Sequence, residues 1–446
     1  MRDQTVGWVA EVAGARLVTG AAGAAGPRRA VIDTRDAAEG DLFVGLRGER
    51  IDGSELAGEA LAAGAWGVLI GSEHAERAAA AAPPAAAVLA VDAPLAALQA
   101  LARAWRRELG CRVVGVTGSA GKTSTKDILT ALLGRTLRVH ANRQNLNTEI
   151  GLPLTILEAE PGTEAMVLEM AMRGEGQIAE LVGVAEPDVG VIVNVGPVHL
   201  ELLGTVERVA AAKAELIRDL RPGAGCVVPA GEALLSSHLR SELDTFTFGP
   251  GGQVMLLAFD RRGRGGVAEI EARGERFHLE LPYDEPHNLL NTLAAVAAAV
   301  ALGERPGGRI EPRFSSLRGE IIELPGGVTV VNDCYNANPM SMRAALQHLA
   351  ETPARRRVAL LGTMAELGEG SAAFHREIGE EAAALGIDVL ITVGEEAAGY
   401  GEGYAGETYA TGSPEEASAL LEEIALPGDR VLVKGSRSVG LERVLA

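Results

Sequence analysis

At 446 residues the chain exceeds what one hydrophobic core serves, so about three domains are expected. Apolar residues make up 47% and aromatics only 3%, which means cores built from Ala, Val and Leu; no run approaches a membrane span and Met1-Arg2-Asp3-Gln4 has no signal-like apolar core, so a cytoplasmic protein without membrane insertion is expected. A formal charge of −19 disfavours nonspecific nucleic-acid binding and leaves any anionic substrate to local basic sites, while Cys111, Cys226 and Cys334 lack metal-type spacing and read as buried thiols. Residues 1 to about 110 then read as a small α/β unit. Strands are predicted at Ala30–Arg35, Asp41–Leu46, Trp66–Ile70 and Val88–Val91, with helices at Glu55–Ala63 and Leu95–Leu109. Ala21–Pro27 and Ala78–Pro84 read as turns. Thr34, Arg35, Arg47 and Arg50 lie at strand ends, where they either hold a phosphorylated or nucleotide-like substrate or are ordinary loop residues.

From Cys111 a longer α/β alternation begins. The predicted strand Val113–Val116 runs into Thr117-Gly118-Ser119-Ala120-Gly121-Lys122-Thr123-Ser124, which opens a helical segment. Glycines let backbone N–H groups face an anion, a lysine brings a compact charge to β- and γ-phosphates, and the Thr123 hydroxyl can ligate Mg²⁺. The strict phosphate-loop pattern would place its first glycine at Val116, so the loop is read as T-G-x-x-G-K-T-S. The apolar runs Ala165–Met170 and Val189–Asn194 have the character of buried parallel strands. Glu169 closes the first and His199 follows the second, at the carboxyl ends where a nucleotide-bound Mg²⁺ would lie; a solvated strand terminus and a structural histidine are the plain alternatives.

Of 41 basic residues only Lys122, Lys126, Lys213 and Lys434 are lysines, so a lysine marks a place where Arg fails. Lys122 fits the phosphate loop, and Lys126 reads as a survivor of the bias. Lys213 lies among alanines in a predicted helix, Glu207–Leu216. In an apolar setting its amine loses its proton and can add CO₂ to become a carbamate, a carboxylate able to ligate a second Mg²⁺; the alternative is an exposed helical lysine beside Glu215. Short strands and a Gly-rich hairpin about Arg261-Arg262-Gly263 follow. His287, Asn288 and Asn291 open an Ala/Val/Leu helix reaching Leu302, where the two asparagines share a face able to grip an adenine edge, with capping by Asn288 as the simpler account.

From about 312 onward the pattern is again α/β, with strands at Val328–Asn332, Val358–Leu361, Val389–Val393 and Arg430–Val433 and helices at Met340–Ala350 and Ala372–Leu385. Two strand-to-helix junctions are rich in hydrogen-bonding groups: Asn332-Asp333-Cys334-Tyr335-Asn336-Ala337-Asn338-Pro339 and Val433-Lys434-Gly435-Ser436-Arg437-Ser438.

These motifs resemble the Mur ligases of bacterial peptidoglycan synthesis over essentially the whole length. Carrying the likeness are Asp333-x-Tyr335-Asn336-Ala337-Asn338-Pro339-x-Ser341-Met342, Gly362-x-Met364-x-Glu366-Leu367-Gly368, Lys434-Gly435-Ser436-Arg437, Asn145-Leu146-Asn147-x-Glu149-Ile150-Gly151, Val198-His199-Leu200-Glu201, and near the start Asp33-Thr34-Arg35 with Gly48-Glu49-Arg50 and Asp52-Gly53. The Asp-Asn-Pro-Arg motif usual in the member that adds the third peptide residue is absent. The pattern is similar to the member that adds the final dipeptide.

The resemblance implies a three-domain α/β fold: a small N-terminal domain for a UDP-sugar peptide (1–110), a central P-loop ATPase-like parallel-sheet domain (111–311) and a C-terminal Rossmann-like domain (312–446). It implies ATP, two Mg²⁺ sites and CO₂ held as a lysine carbamate. UDP-N-acetylmuramoyl-tripeptide and D-alanyl-D-alanine would be the substrates, joined by a monomer through an acyl phosphate. ATP would meet residues 117–124, His287, Asn288, Asn291, Arg318 and Asp333, with Thr123, Glu169, His199 and carbamylated Lys213 at the metals. Lys122, Lys213, His199 and Glu169 would be the catalytic set. Substrates would meet Thr34, Arg35, Asn145, Asn147, Tyr335, Asn336, Asn338, Lys434, Ser436 and Arg437. Thr363, Ala171 and Thr148 depart from the usual Asp, Gly and Asn. Two related ligases, one extending a UDP-N-acetylmuramoyl-dipeptide and the other folylpolyglutamate synthetase, remain alternatives, as does a nucleotide-binding regulator that has lost catalysis. The Tyr-Asn-Ala-Asn-Pro cluster argues against the folate enzyme, and intact Glu169, His199 and Lys213 against the regulator.

Overall fold

The computed structural model describes every residue except 2, 144 and 446. Three sheets follow one another along the chain. The first has five strands in the spatial order Arg16–Thr19, Ala87–Val91, Gly67–Gly71, Asp41–Val44, Arg29–Val31, parallel except for the first. The central sheet has ten. Its parallel portion runs Val139–Ala141, Ala165–Glu169, Arg112–Thr117, Val189–Ile192, Gly225–Pro229, Asp244–Phe248, and an antiparallel meander, Val254–Arg262, Gly265–Ala272, Glu275–Leu281, extends it to the short edge strand Gly308–Arg309. The third sheet has six strands, five of them parallel, with Glu320–Leu324 antiparallel at one edge.

The near-continuous apolar runs predicted as parallel strands are buried strands, because helices cover both faces of the central sheet. On one face lie Lys122–Leu133 and Pro286–Ala301. Ala294, Ala295, Ala297, Ala298 and Ala299 are fully buried, and their small side chains let the second of these helices sit close to the sheet. On the other face, the helix Pro94–Leu109 packs on Gly151–Glu158 and Gln177–Ala185, so residues of the first sheet and of the central one share one apolar core. The third sheet has cores of its own.

Several local expectations are corrected. The strand predicted to Arg35 ends at Val31; Thr34–Asp36 is a single 3₁₀ turn, since the Asp33 carboxylate accepts the Arg35 N–H and diverts the backbone from a ladder. Ala78–Pro84 is not all turn. A helix spans Ala75–Ala81, alanine being the best helix former, and stops before Pro83. The helix Val6–Ala13 and the strand Arg16–Thr19 were not anticipated.

Candidate active site

The strand Arg112–Thr117, inside the central sheet, delivers the glycine loop to the carboxyl edge. Gly121 takes the left-handed conformation at φ 75° and starts the helix Lys122–Leu133. A Cβ on Gly121 would come within 2.6 Å of Asn291 Oδ1, so glycine is required by both torsion and space. Asn194 fastens the loop from the neighbouring strand: its Oδ1 accepts the N–H groups of Ser119 (3.0 Å) and Ala120 (2.8 Å), and its Nδ2 donates to Ala120 O (3.0 Å). Those two N–H groups therefore do not face an anion. The donors left for one belong to the first turn of the helix, where Lys122, Thr123 and Ser124 have no intrahelical acceptor. Lys122 Nζ reaches back to Gly118 O (2.8 Å), and burial lowers its pKa, with Glu169 opposing and Arg318 assisting that shift.

Thr123 and Glu169, both 2% exposed, meet at 2.7 Å, the hydroxyl donating to one carboxylate oxygen; the Asn147 amide donates to the other at 2.8 Å. Asn142 holds the Glu169 backbone from both sides, accepting its N–H and donating to its carbonyl, each at 2.9 Å. Lys213 is 2% exposed on the helix Val206–Asp219, not an exposed lysine beside Glu215, whose carboxylate instead accepts the N–H groups of Gly176 (2.6 Å) and Ala179 (3.0 Å). Its Nζ makes no hydrogen bond to the described residues. Burial first, and the nearby charge of Lys122 second, push its pKa well below the ordinary lysine value. His199 stands at φ 53° and its Nδ1 meets the Glu366 carboxylate, which arrives from the third sheet and is also left-handed at φ 64°. The carboxylate at Nδ1 fixes the orientation of the ring. Hydroxyl and carboxylate oxygens with an imidazole and an unpartnered amine suit a hard divalent cation once the amine carries CO₂.

Across from the loop, Asn338 caps the helix Pro339–Glu351 and donates to Ser119 O at 3.3 Å. The Arg318 guanidinium lies 4.1 Å from the Tyr335 ring centre, with its Nε buried and unpartnered. Lys434 is buried and structural in character, donating to Asp333 Oδ2 (2.6 Å) and Asn336 O (3.0 Å). His287 lies edge-on to His348, ring centres 6.5 Å apart. Asn288 is not a cap, since Glu285 takes that position; Asn288 Nδ2 donates to Glu285 Oε2 (3.3 Å) and Asn291 Nδ2 to Asn288 Oδ1 (3.4 Å).

Other predicted residues stand apart from this cluster. Arg35 pairs with Asp33 and neither it nor Thr34 is bonded to the central groups among the described residues. Asn145 is exposed on its loop, Ser436 Oγ accepts the Ala365 N–H (2.9 Å), and Arg437 pairs with Glu442 (3.0 Å). Sequence reasoning gave no role to Asn142, Asn194 or Glu366. Asn194 carried the same signal as Glu169, a polar residue closing an apolar strand, whereas the partner of Glu366 lies 167 positions away.

Residues 30–106, 116–299 and 317–437 match the family models described as Mur ligase family, catalytic domain; Mur ligase middle domain; and Mur ligase, glutamate ligase domain. The chain belongs to the Mur ligase family and is an ATP-dependent, amide-forming ligase. It is similar to the UDP-N-acetylmuramoyl-tripeptide--D-alanyl-D-alanine ligase of Bacillus subtilis (strain 168), at 36% identity over 423 residues, 93% of this chain and 91% of that protein. The crystal structure of MurF ligase from Thermotoga maritima in complex with ADP superimposes with a TM-score of 0.80 at 34% identity, covering 94% of this chain and 96% of that one. MurF from Acinetobacter baumannii gives a TM-score of 0.86 at 27% identity, covering 99% and 98%.

Proposed function

We propose that the chain joins D-alanyl-D-alanine to the terminal carboxylate of UDP-N-acetylmuramoyl-tripeptide at the expense of ATP. The observation that carries this reading is that Thr123 meets Glu169 while Lys122 lies beside Glu169 and the unpartnered Lys213 at the carboxyl edge of the central sheet, with His199 on the loop after the next strand, in a chain alike over 93% of its length to a ligase of that name. A carboxylate is a poor electrophile. Attack on the γ-phosphate of ATP turns it into an acyl phosphate and expels ADP; the dipeptide amine then adds, loses a proton, and the tetrahedral adduct collapses to amide and phosphate. Lys122 and the free N–H groups of the first helical turn hold the phosphates and offset the charge of the incoming acid. Glu169, kept in place by Asn142 and Asn147, and His199, oriented by Glu366, hold their donor atoms toward the cleft. Two Mg²⁺ ions, held by Thr123 and Glu169 and by His199 and Lys213 as its carbamate, would neutralise repulsion between triphosphate and carboxylate.

Residues 1–110 are assigned to the UDP-sugar peptide, with Thr34 and Arg35 as contacts; 111–311 to ATP; and 312–446 to ATP and the dipeptide. In the last unit Asp333, Tyr335, Asn336, Asn338 and Lys434 are assigned to the cleft, with Ser436 and Arg437, which stand apart from the central cluster, assigned to the dipeptide. No described helix is long and apolar enough to cross a membrane, and a cytoplasmic monomer is proposed from the likeness to the family. The test is phosphate release. It requires UDP-N-acetylmuramoyl-tripeptide and D-alanyl-D-alanine together; turnover with a folate and glutamate, or none with the tripeptide carrying either diaminopimelate or lysine, overturns the assignment.

A further inference from the structure

Lys126 has no part in the chemistry above, yet it is 4% exposed, in a chain that otherwise puts arginine wherever a cation will do. It forms an ion pair with Asp127, itself 9% exposed, at 2.8 Å. Each member carries one further set of bonds. Lys126 Nζ donates to Asn142 O (2.9 Å), and Asn142 is the residue whose side chain holds Glu169 N–H and carbonyl. Asp127 Oδ2 accepts both the N–H (3.0 Å) and the hydroxyl (3.2 Å) of Ser315. Ser315 lies on the segment leading to the third sheet, three residues before Arg318, whose guanidinium stacks on Tyr335 and keeps a buried Nε without a partner.

We infer that the buried Lys126–Asp127 pair is a positioning device for nucleotide: from the back of the phosphate-loop helix it holds Glu169 through Asn142 and Arg318 through Ser315. Burying two charges costs solvation that an apolar pair would not, so stability alone does not account for them. A lysine suits the place because one compact ammonium must meet a carbonyl and a carboxylate in a closed space, which a planar guanidinium does not do. The partially buried Arg318 charge is then presented to the anionic ligand only while the Ser315 tie holds its segment.

This rests on the nucleotide site proposed above, and full-length protein with ADP as the probe separates the two ideas. By calorimetric titration, Asp127→Ala weakens ADP binding about tenfold, and the milder Ser315→Ala about threefold, with KM for ATP rising and kcat nearly kept. The double variant Lys126→Met/Asp127→Leu melts at or above the temperature of the unaltered chain but still binds ADP about tenfold more weakly, and Lys126→Arg does not restore the affinity lost in Lys126→Met. ADP affinity within twofold of the unaltered chain in folded Ser315→Ala and in the apolar double variant overturns the inference alone. Failure of the unaltered chain to bind ADP overturns the nucleotide site and this inference with it.

Discussion

The amine of Lys213 is the residue on which the second half of the site turns. Its folded-state pKa is depressed by burial, so at pH values between the folded and unfolded pKa the unfolded chain holds a proton that the folded chain lacks. Burial therefore costs stability in that window, the cost growing as pH falls and disappearing as pH rises through the unfolded value. The same depression raises the share of neutral amine, the form to which CO₂ would add with loss of a proton to give the proposed carbamate. Lys213→Arg, always charged and unable to add CO₂, should lower ligase turnover about a hundredfold or more, the scale of losing one electrostatic stabiliser. The unaltered enzyme should lose activity in CO₂-depleted buffer and regain it with bicarbonate; full activity in both experiments would rule the carbamate out. The cysteines titrate in the opposite direction. Burial holds the Cys226 thiol up at about 12 and that of Cys334 at about 11, with Cys111 also raised, so thiolate is scarce at pH 8. Iodoacetamide should leave all three unmodified in the native chain and alkylate them in denaturant, as read by intact mass. At this scale the sequence was informative wherever composition isolated a residue, as it did for Lys213. It read Lys126 only as a survivor of the bias, because the carbonyl that this lysine meets, Asn142 O, and the Ser315 groups bonded to its ion-pair partner Asp127 lie on other elements.

Elements were legible where one force dominated. Strands such as Val328–Asn332 and Val389–Val393 match their predicted bounds because both faces are largely buried and most side chains are apolar. The helix Pro286–Ala301 was marked by its first-turn proline and alanine content. Legibility failed where a side chain competed with the backbone, as Asp33 does for the turn Thr34–Asp36, and where low complexity hid a helix, as at Ala75–Ala81. The contact between Gly121 and Asn291 joins two such elements, and neither periodicity nor motif shows it. Gly121→Ala should lower stability by about 1–2 kcal/mol from the left-handed torsion alone. Displacement of Asn291 should add to that and weaken ADP binding, since this helix starts at the loop. Thermal unfolding together with ADP titration checks both, and an Ala variant with native values would mean the loop relaxes without consequence.

At the scale of the molecule, the first and central sheets differ from the third in how they are joined. Trp105 Nε1 donates to Ala159 O (3.0 Å) and Arg106 pairs with Asp188 (3.2 Å) above a continuous apolar core, so those two units move together. The third unit meets them through polar contacts: Asn338 on Ser119 O, Glu366 on His199, the Glu201 N–H on Glu366 O (3.2 Å) and Arg173 on Glu366 (3.6 Å). We propose that such an interface opens at small cost to admit the substrates and that closing it brings Glu366 to the imidazole. At Gly196 the central unit packs closely on the third. A Cβ there would overlap the Met340 sulfur, from the first turn of the helix that Asn338 caps. Gly196→Ala should therefore hold the third unit away while the rest stays folded. With ATP analogue and both substrates, small-angle scattering should give a larger radius of gyration than the unaltered chain, and turnover should fall at least tenfold. Adding Met340→Ala removes the obstructing atoms and should restore both compactness and rate. A double variant as impaired as the single one would mean that Gly196 serves the loop through its bond to Ser119 and not through the docking of the third unit.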